Sequence, residues 1–248
     1  MRKAAVITGA SSGIGAEAAK LFSKKGYFVF LAGRNADRLA EVALQCPAGA
    51  SLLKIDFEKP ETLKKYAEHL LGRADINLEV LVNNAGIYEN HDFQGGSPEL
   101  WRRQFQVNLF GPIQWTQMVM PLLEKSGRGS IVNVSSTLGL RAGATSGAYS
   151  AAKAAMNSWT QSLAIEYGPK KVRVNAICPG IVDTPIHSFH SLPDKDKEKS
   201  LQAMAKLQPL GRIGRPEEIA EAIYFLASEQ SAWTTGAVLS VDGGINLV

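Results

Sequence analysis

Short apolar runs alternate with amphipathic segments along nearly the whole chain, and this rhythm restricts the fold more than any other feature of the sequence. Strands are expected at 4–8, 27–32, 51–55, 80–82, 130–134, 172–177 and 238–241. Helices are expected at 13–25, 37–44, 60–71, 98–125 with an interruption near Gly111-Pro112, 147–167 and 216–227. Local signals agree. Gly26 closes the first helix, and Pro60 and Pro216 sit in first turns, where a missing N–H costs nothing. Glu217-Glu218 complement the dipole of the last helix. About seven strands with intervening helices imply a parallel sheet covered on both faces. Right-handed crossovers make it a doubly wound α/β fold. Neither a repeat nor a composition break marks a linker, so the 248 residues are read as one domain. Residues 179–214 carry Pro179, Pro185, Pro193 and Pro209 and read as irregular, too long for an ordinary connection.

The charge pattern excludes some function classes. Net charge is +4, with the charges scattered. The densest run, residues 194–199, alternates in sign and reads as a solvated loop or helix start; a nucleic-acid surface needs one sign on one face. Cys46 and Cys178 do not make a disulfide framework, which fits a reducing, cytoplasmic compartment. The apolar start is cut off by Thr8-Gly9, and no run reaches the ~20 residues of a membrane span. His187 and His190 lie three apart in a Pro- and Ser-containing loop without a cysteine partner, so they read as solvated and not as metal ligands.

The first strand and helix are joined by Thr8-Gly9-Ala10-Ser11-Ser12-Gly13-Ile14-Gly15. A tight turn there lets a pyrophosphate approach free N–H groups and the positive end of the helix dipole. The spacing is Gly-x3-Gly-x-Gly, not the common Gly-x-Gly-x2-Gly fingerprint, and a plain turn with capping serines is the competing reading. After the second strand, a cofactor with a free ribose 2′-hydroxyl is usually held by an acid. Here the sequence is Leu31-Ala32-Gly33-Arg34-Asn35. The acid is absent, and the planar fork of Arg34 suits a 2′-phosphate. This favours NADP(H) over NAD(H), against the alternative of an exposed arginine starting a helix.

Tyr149 and Lys153 are four apart on the expected helix 147–167 and share a face. A free tyrosine has a pKa of about 10, and a neighbouring cation lowers it toward the range of a general acid or base. Ser136 follows an apolar run, where its hydroxyl can bond a substrate oxygen. Taken alone, such a pair is usually surface packing; its weight comes from the rest of the chain.

With these residues in order, the chain resembles the single-domain short-chain dehydrogenase/reductase family over its whole length, a Rossmann-type fold. The resemblance rests on the turn from Thr8 to Gly15, Asp56, Asn83-Asn84-Ala85-Gly86, Asn108, Ser136, Tyr149-x3-Lys153, and Pro179-Gly180-Ile181-Val182-Asp183-Thr184. It implies that Tyr149 is the proton donor or acceptor and that Lys153 lowers its pKa and bonds the nicotinamide ribose. It further implies that Ser136, not Ser135, bonds the substrate oxygen, and that Asn108 positions a water linking Lys153 to solvent. Gly9, Ser11, Ser12, Gly13, Ile14 and Gly15 would hold the pyrophosphate, with Arg34 and Asn35 beyond the second strand. Asp56 and Phe57 would meet adenine, and Asn83, Ala85 and Gly86 the adenosine ribose. Pro179, Gly180, Val182 and Thr184 would hold the carboxamide.

Residues 183–207, with His187, Phe189, His190, Leu192, Met204 and Leu207, would form a substrate lid. Ile87, Tyr88, Leu138 and Leu140 are further wall candidates. The C-terminal half is similar to the branch of 3-oxoacyl-carrier-protein reductases and sugar dehydrogenases. That implies a homotetramer and, through Arg128 and Lys170-Lys171, a weak expectation of an acyl carrier protein as partner. The expected activity is an NADP(H)-dependent ketoreductase or alcohol dehydrogenase. The alternatives are an NAD-linked sugar or steroid-like alcohol dehydrogenase, an NADP-sensing regulator without turnover, and a structural subunit.

Overall fold

The computed structural model describes residues 1–187 and 192–248. Its centre is a seven-stranded sheet in which all pairings are parallel, in the order β3-β2-β1-β4-β5-β6-β7. The strands are β1 (Arg2–Thr8), β2 (Phe28–Gly33), β3 (Ala50–Lys54), β4 (Ile76–Asn83), β5 (Gly129–Val134), β6 (Val172–Pro179) and β7 (Val238–Val241). β1 and the strands flanking it are near-continuous apolar runs because both faces are covered. Ala4, Ala5, Val6 and Ile7 are all fully buried, as are Phe30 and Leu31 on β2 and Leu81 and Val82 on β4. Ile7 pairs with Leu31 on one side and Val82 on the other, so the register lines up the carboxyl ends of β1, β2 and β4.

Helices form a layer on each face. On one side α1 (Gly13–Lys24) and α8 (Pro216–Ala227) bring Phe22, Ile219 and Ile223 onto Ile7, Leu31 and Val132. On the other, α3 (Pro60–Leu71) and α5 (Gly111–Lys125) bring Leu63, Leu70 and Trp115 onto Val6, Leu81 and Ile131. The remaining helices are α2 (Ala36–Ala43), α4 (Pro98–Phe105), α6 (Gly147–Tyr167) and α7 (Asp194–Lys206). The chain builds outward from β1 to β3, then crosses back to place β4 on the other side of β1. A crevice opens at such a reversal, outside the carboxyl ends of the strands.

Two expectations need correction. The interval 179–214 is not irregular throughout, since it contains the thirteen-residue α7. Its sequence, DKDKEKSLQAMAK, is polar over the first two turns and shows little of the apolar period that marks a packed helix. β4 starts at Ile76, four residues before the expected run. The polar Asn77 and Glu79 hide that start. Glu79 is buried, accepts from Asn77 Nδ2 at 3.0 Å and pairs with Arg128 at 3.4 Å. The interruption expected near Gly111-Pro112 is present: the π-helical segment Gln106–Phe110 separates α4 from α5, which Gly111-Pro112 open.

Candidate active site

The crevice is a cavity of about 1030 Å³ running from the carboxyl end of β3 to that of β6. Its floor is the glycine turn. Gly9 has φ +67°, and a Cβ on it would lie 2.9 Å from Ala85 Cα, so this turn accepts only glycine comfortably. Thr8 and Asn84 hold the turn. Thr8 Oγ1 donates to Val82 O and accepts from the N–H groups of Asn84 (2.9 Å) and Ala85 (3.0 Å). Asn84 Nδ2 donates to the carbonyls of Thr8 (2.9 Å) and Gly9 (3.3 Å). Ser11, Ser12, Gly13 and Ile14 face the cavity.

Ser12 is the N-cap of α1, yet its side chain makes no capping bond, and the first turn holds no acid. The first-turn N–H groups and the dipole are therefore available to an anion, and the residues present fit a dinucleotide pyrophosphate. Two expected cofactor residues lie elsewhere. Gly15 is behind the turn, where a Cβ would meet Gly9 O at 2.3 Å, so it is glycine for helix–turn packing. Asn83 points into the core and donates to Thr116 Oγ1 (3.0 Å) and Asn133 Oδ1 (2.9 Å), bracing β4 against β5 and α5. Its neighbour Asn84 lines the cavity instead. On a strand, adjacent side chains face opposite ways, which is the signal that separates the two.

Arg34, Asn35, Asp56 and Phe57 line one end, together with Arg38, which the sequence reading missed. Asn35 caps α2, accepting from Arg38 N at 3.0 Å and so holding both arginines near the rim. Asp56 accepts from Glu58 N at 3.0 Å. Glu58 in turn pairs with Arg34 at 3.6 Å and with Arg103 at 2.8 Å, and Arg103 also binds the Glu89 carboxylate.

The other end holds the ionisable groups. Tyr149 and Lys153 lie one turn apart on α6, 8% and 3% exposed, and both face the cavity beside Ser135 and Ser136. Lys153 Nζ donates to Val134 O at 2.7 Å and lies 5.7 Å from the Tyr149 ring centre. The Tyr88 ring meets Tyr149 edge-on at 4.9 Å. Ser135 Oγ donates to Lys153 O, so that hydroxyl is committed to α6. Ser136 Oγ accepts from Leu138 N, and its hydroxyl meets the Tyr149 phenol, so the two hydroxyls face the cavity as a pair.

The electrostatics run against the expected direction. Burial pushes the Tyr149 phenol up to about 12, opposed by its hydrogen bond with Ser136. Burial also pulls Lys153 down to about 8. In this desolvated pocket the loss of hydration dominates at the phenol, and the Lys153 ammonium is directed to Val134 O.

Asn108 sits inside the π segment, fully buried, and is spent on one neighbour. Its Oδ1 accepts from Ile87 N and its Nδ2 donates to Ile87 O, both at 3.0 Å. Its side chain therefore fixes the wall at Ile87. Gly86 stands between it and the lysine: a Cβ there would be 2.9 Å from Asn108 Oδ1 and 3.8 Å from Lys153 Nζ.

Pro179, Gly180, Val182 and Thr184 form the remaining wall, with Thr184 reaching over to pack near Gly13. Of the lid and wall candidates, Ile87, Tyr88, Leu138, His187 and Met204 line the cavity, whereas Leu140, Leu192 and Leu207 are exposed outside it. Phe189 and His190 lie outside the described residues. Ile245, near the C-terminus, lines the cavity and carried no sequence signal.

Known proteins share this plan. The family model described as "Enoyl-(Acyl carrier protein) reductase" matches residues 9–246. A 3-oxoacyl-[acyl-carrier-protein] reductase of Thermotoga maritima is 37% identical over 246 residues, covering 98% of this chain and 97% of that protein. The cis-4-hydroxycyclohexanecarboxylate dehydrogenase of Sinomonas cyclohexanicum is 37% identical over 252 residues, covering 99% and 97%. The ligand-free aldohexose dehydrogenase of Thermoplasma acidophilum superposes with a TM-score of 0.90 at 32% identity, covering 100% of this chain and 95% of that one. A solved short chain dehydrogenase/reductase family protein gives a TM-score of 0.87 at 33% identity, covering 99% and 97%. With the likeness holding over essentially the full length in both sequence and fold, the chain belongs to the short-chain dehydrogenase/reductase family of oxidoreductases.

Proposed function

We propose that this oxidoreductase is an NADP(H)-dependent ketoreductase acting on a small carbonyl compound or 3-oxoacyl thioester. One observation carries the reading: a single cavity joins an uncapped helix N-terminus and two arginines at one end to Ser136, Tyr149 and Lys153 at the other. A bound reduced nicotinamide supplies the hydride. Ser136 orients the carbonyl oxygen with its hydroxyl, and Tyr149 gives its phenolic proton to that oxygen. With its pKa near 12 the phenol is fully protonated at neutral pH, which suits donation in the direction of reduction. The ammonium of Lys153 is the nearby cation that steadies the phenolate left behind. Gly9, Ser11, Ser12, Gly13 and Ile14 would hold the pyrophosphate, Arg34 and Arg38 the 2′-phosphate, and Asp56 and Phe57 the adenine. Ala85 and Gly86 would hold the adenosine ribose, and Pro179, Gly180, Val182 and Thr184 the carboxamide.

Among the described residues no helix is long and apolar enough to cross a membrane, in keeping with a cytoplasmic enzyme. An assembly of four copies is part of the proposal. β7 ends the sheet with Leu239 partly exposed, and Trp233, five residues before that strand, is fully exposed. Arg128 and Lys170-Lys171 lie at the amino ends of β5 and β6, across the sheet from the cavity. Two of them already pair with acids, Arg128 with Glu79 and Lys170 with Glu124. A carrier protein docked there would serve the cavity of another copy.

Turnover of a ketone panel with NADPH and NADH tests the reading. Tyr149→Phe should lower kcat about a thousandfold with little change in NADPH binding. Arg34→Ala should raise the KM for NADPH about tenfold and that for NADH less than twofold. An active Tyr149→Phe, or equal effects of Arg34→Ala on both cofactors, would overturn the corresponding half.

A further inference from the structure

Arg34 does not stand free on the rim. Its Nη1 lies 3.6 Å from Glu58 Oε2, while the other oxygen of that carboxylate accepts from Arg103 Nε at 2.8 Å. Arg103 uses its second arm on Glu89. Two guanidinium groups and two carboxylates thus alternate along the rim, and Glu58 is the carboxylate shared between Arg34 and Arg103 of α4. Its backbone is anchored, since Glu58 N donates to Asp56 Oδ1. The contact to Arg34 is the looser of its two, and all four side chains are partly exposed, so partners can be exchanged.

We propose that Glu58 sets the cofactor discrimination of this cleft, competing with a cofactor 2′-phosphate for Arg34 while Arg103 draws it away. This rests on the reading that Arg34 faces the 2′ position. A 2′-phosphate brings close to two negative charges to a guanidinium that already holds a carboxylate, so Glu58 opposes its approach. A 2′-hydroxyl brings no charge, and Arg34 then keeps Glu58 as its counter-ion. Glu58 therefore narrows the gap between the two cofactors, and Arg103 widens it by engaging the same carboxylate from the far side.

The test is equilibrium binding of NADPH and of NADH, read by nicotinamide fluorescence, with no turnover involved. Glu58→Gln should tighten NADPH roughly two- to fivefold, the range of a partly exposed ion pair, and leave NADH within about twofold. Arg103→Gln should weaken NADPH by a similar factor, and the double variant should bind it like Glu58→Gln. Weaker NADPH binding in Glu58→Gln would make Glu58 a scaffold for Arg34 and overturn the proposal. So would equal changes for both cofactors, or an Arg103→Gln loss that persists in the double variant. Arg34→Ala in the same assay tests the underlying reading separately. Equal losses for both cofactors remove the 2′-phosphate assignment, whereas a selective NADPH loss with an unresponsive Glu58→Gln removes only the competition.

Discussion

Lys153 and Arg34 are cations at opposite ends of one cleft, and their surroundings differ in nearly every respect. Lys153 is 3% exposed, has a backbone carbonyl as its bonded partner, and is pulled down to about 8 by burial. The Arg34 side chain is 58% exposed and shares a carboxylate with a second arginine. At the inner end, chemistry is tuned by removing water, and the same desolvation costs stability. At the rim, water screens the charges, so selectivity comes from exchanging partners and hardly touches the fold.

Three measurements bear on this contrast. The largest effect is expected at the inner end. Between about pH 8 and 10.5 the unfolded chain still carries the proton that folded Lys153 has released, so the cost of burying the ammonium fades as pH rises. The unfolding free energy of the cofactor-free wild type, minus that of Lys153→Met, should therefore rise by about 3 kcal/mol across that window. Urea unfolding at a series of pH values measures it, and a flat difference would erase the contrast. Next comes the packing under the turn. Gly15→Ala places a methyl group against Gly9 O and Asn84, and should cost about 2 kcal/mol in the same assay. A neutral result would mean that the turn moves freely. The smallest effect belongs to the rim: Arg34→Ala should change stability by less than about 0.5 kcal/mol, however strongly it alters cofactor binding. A larger loss would show that the alternating ion pairs help hold β2 to α4.

Much of the cleft was legible because it lies on regular elements. The i, i+4 spacing of Tyr149 and Lys153 on α6 put both in the cavity, and the glycine turn stands between β1 and α1 as expected. The misses have physical causes. Asn83 and Asn84 look equivalent in sequence, but strand alternation sends one into the core and the other to the cavity. Arg38 was passed over because its place at the rim depends on the cap that Asn35 makes. α7 and the start of β4 were hidden by polar residues, in one case solvated and in the other paired inside the fold.

Local pattern settled by itself that this chain forms a doubly wound parallel sheet, and which residue types meet at its carboxyl edge. Periodicity and turn chemistry act between near neighbours, so they can be read from residue order. The direction of the pKa shifts, the commitment of Ser135 to Lys153 O and of Asn108 to Ile87, and the sharing of Glu58 between Arg34 and Arg103 came only from the folded chain. Each depends on how much water is excluded and which distant groups face one another, and those are properties of packing between segments far apart in sequence.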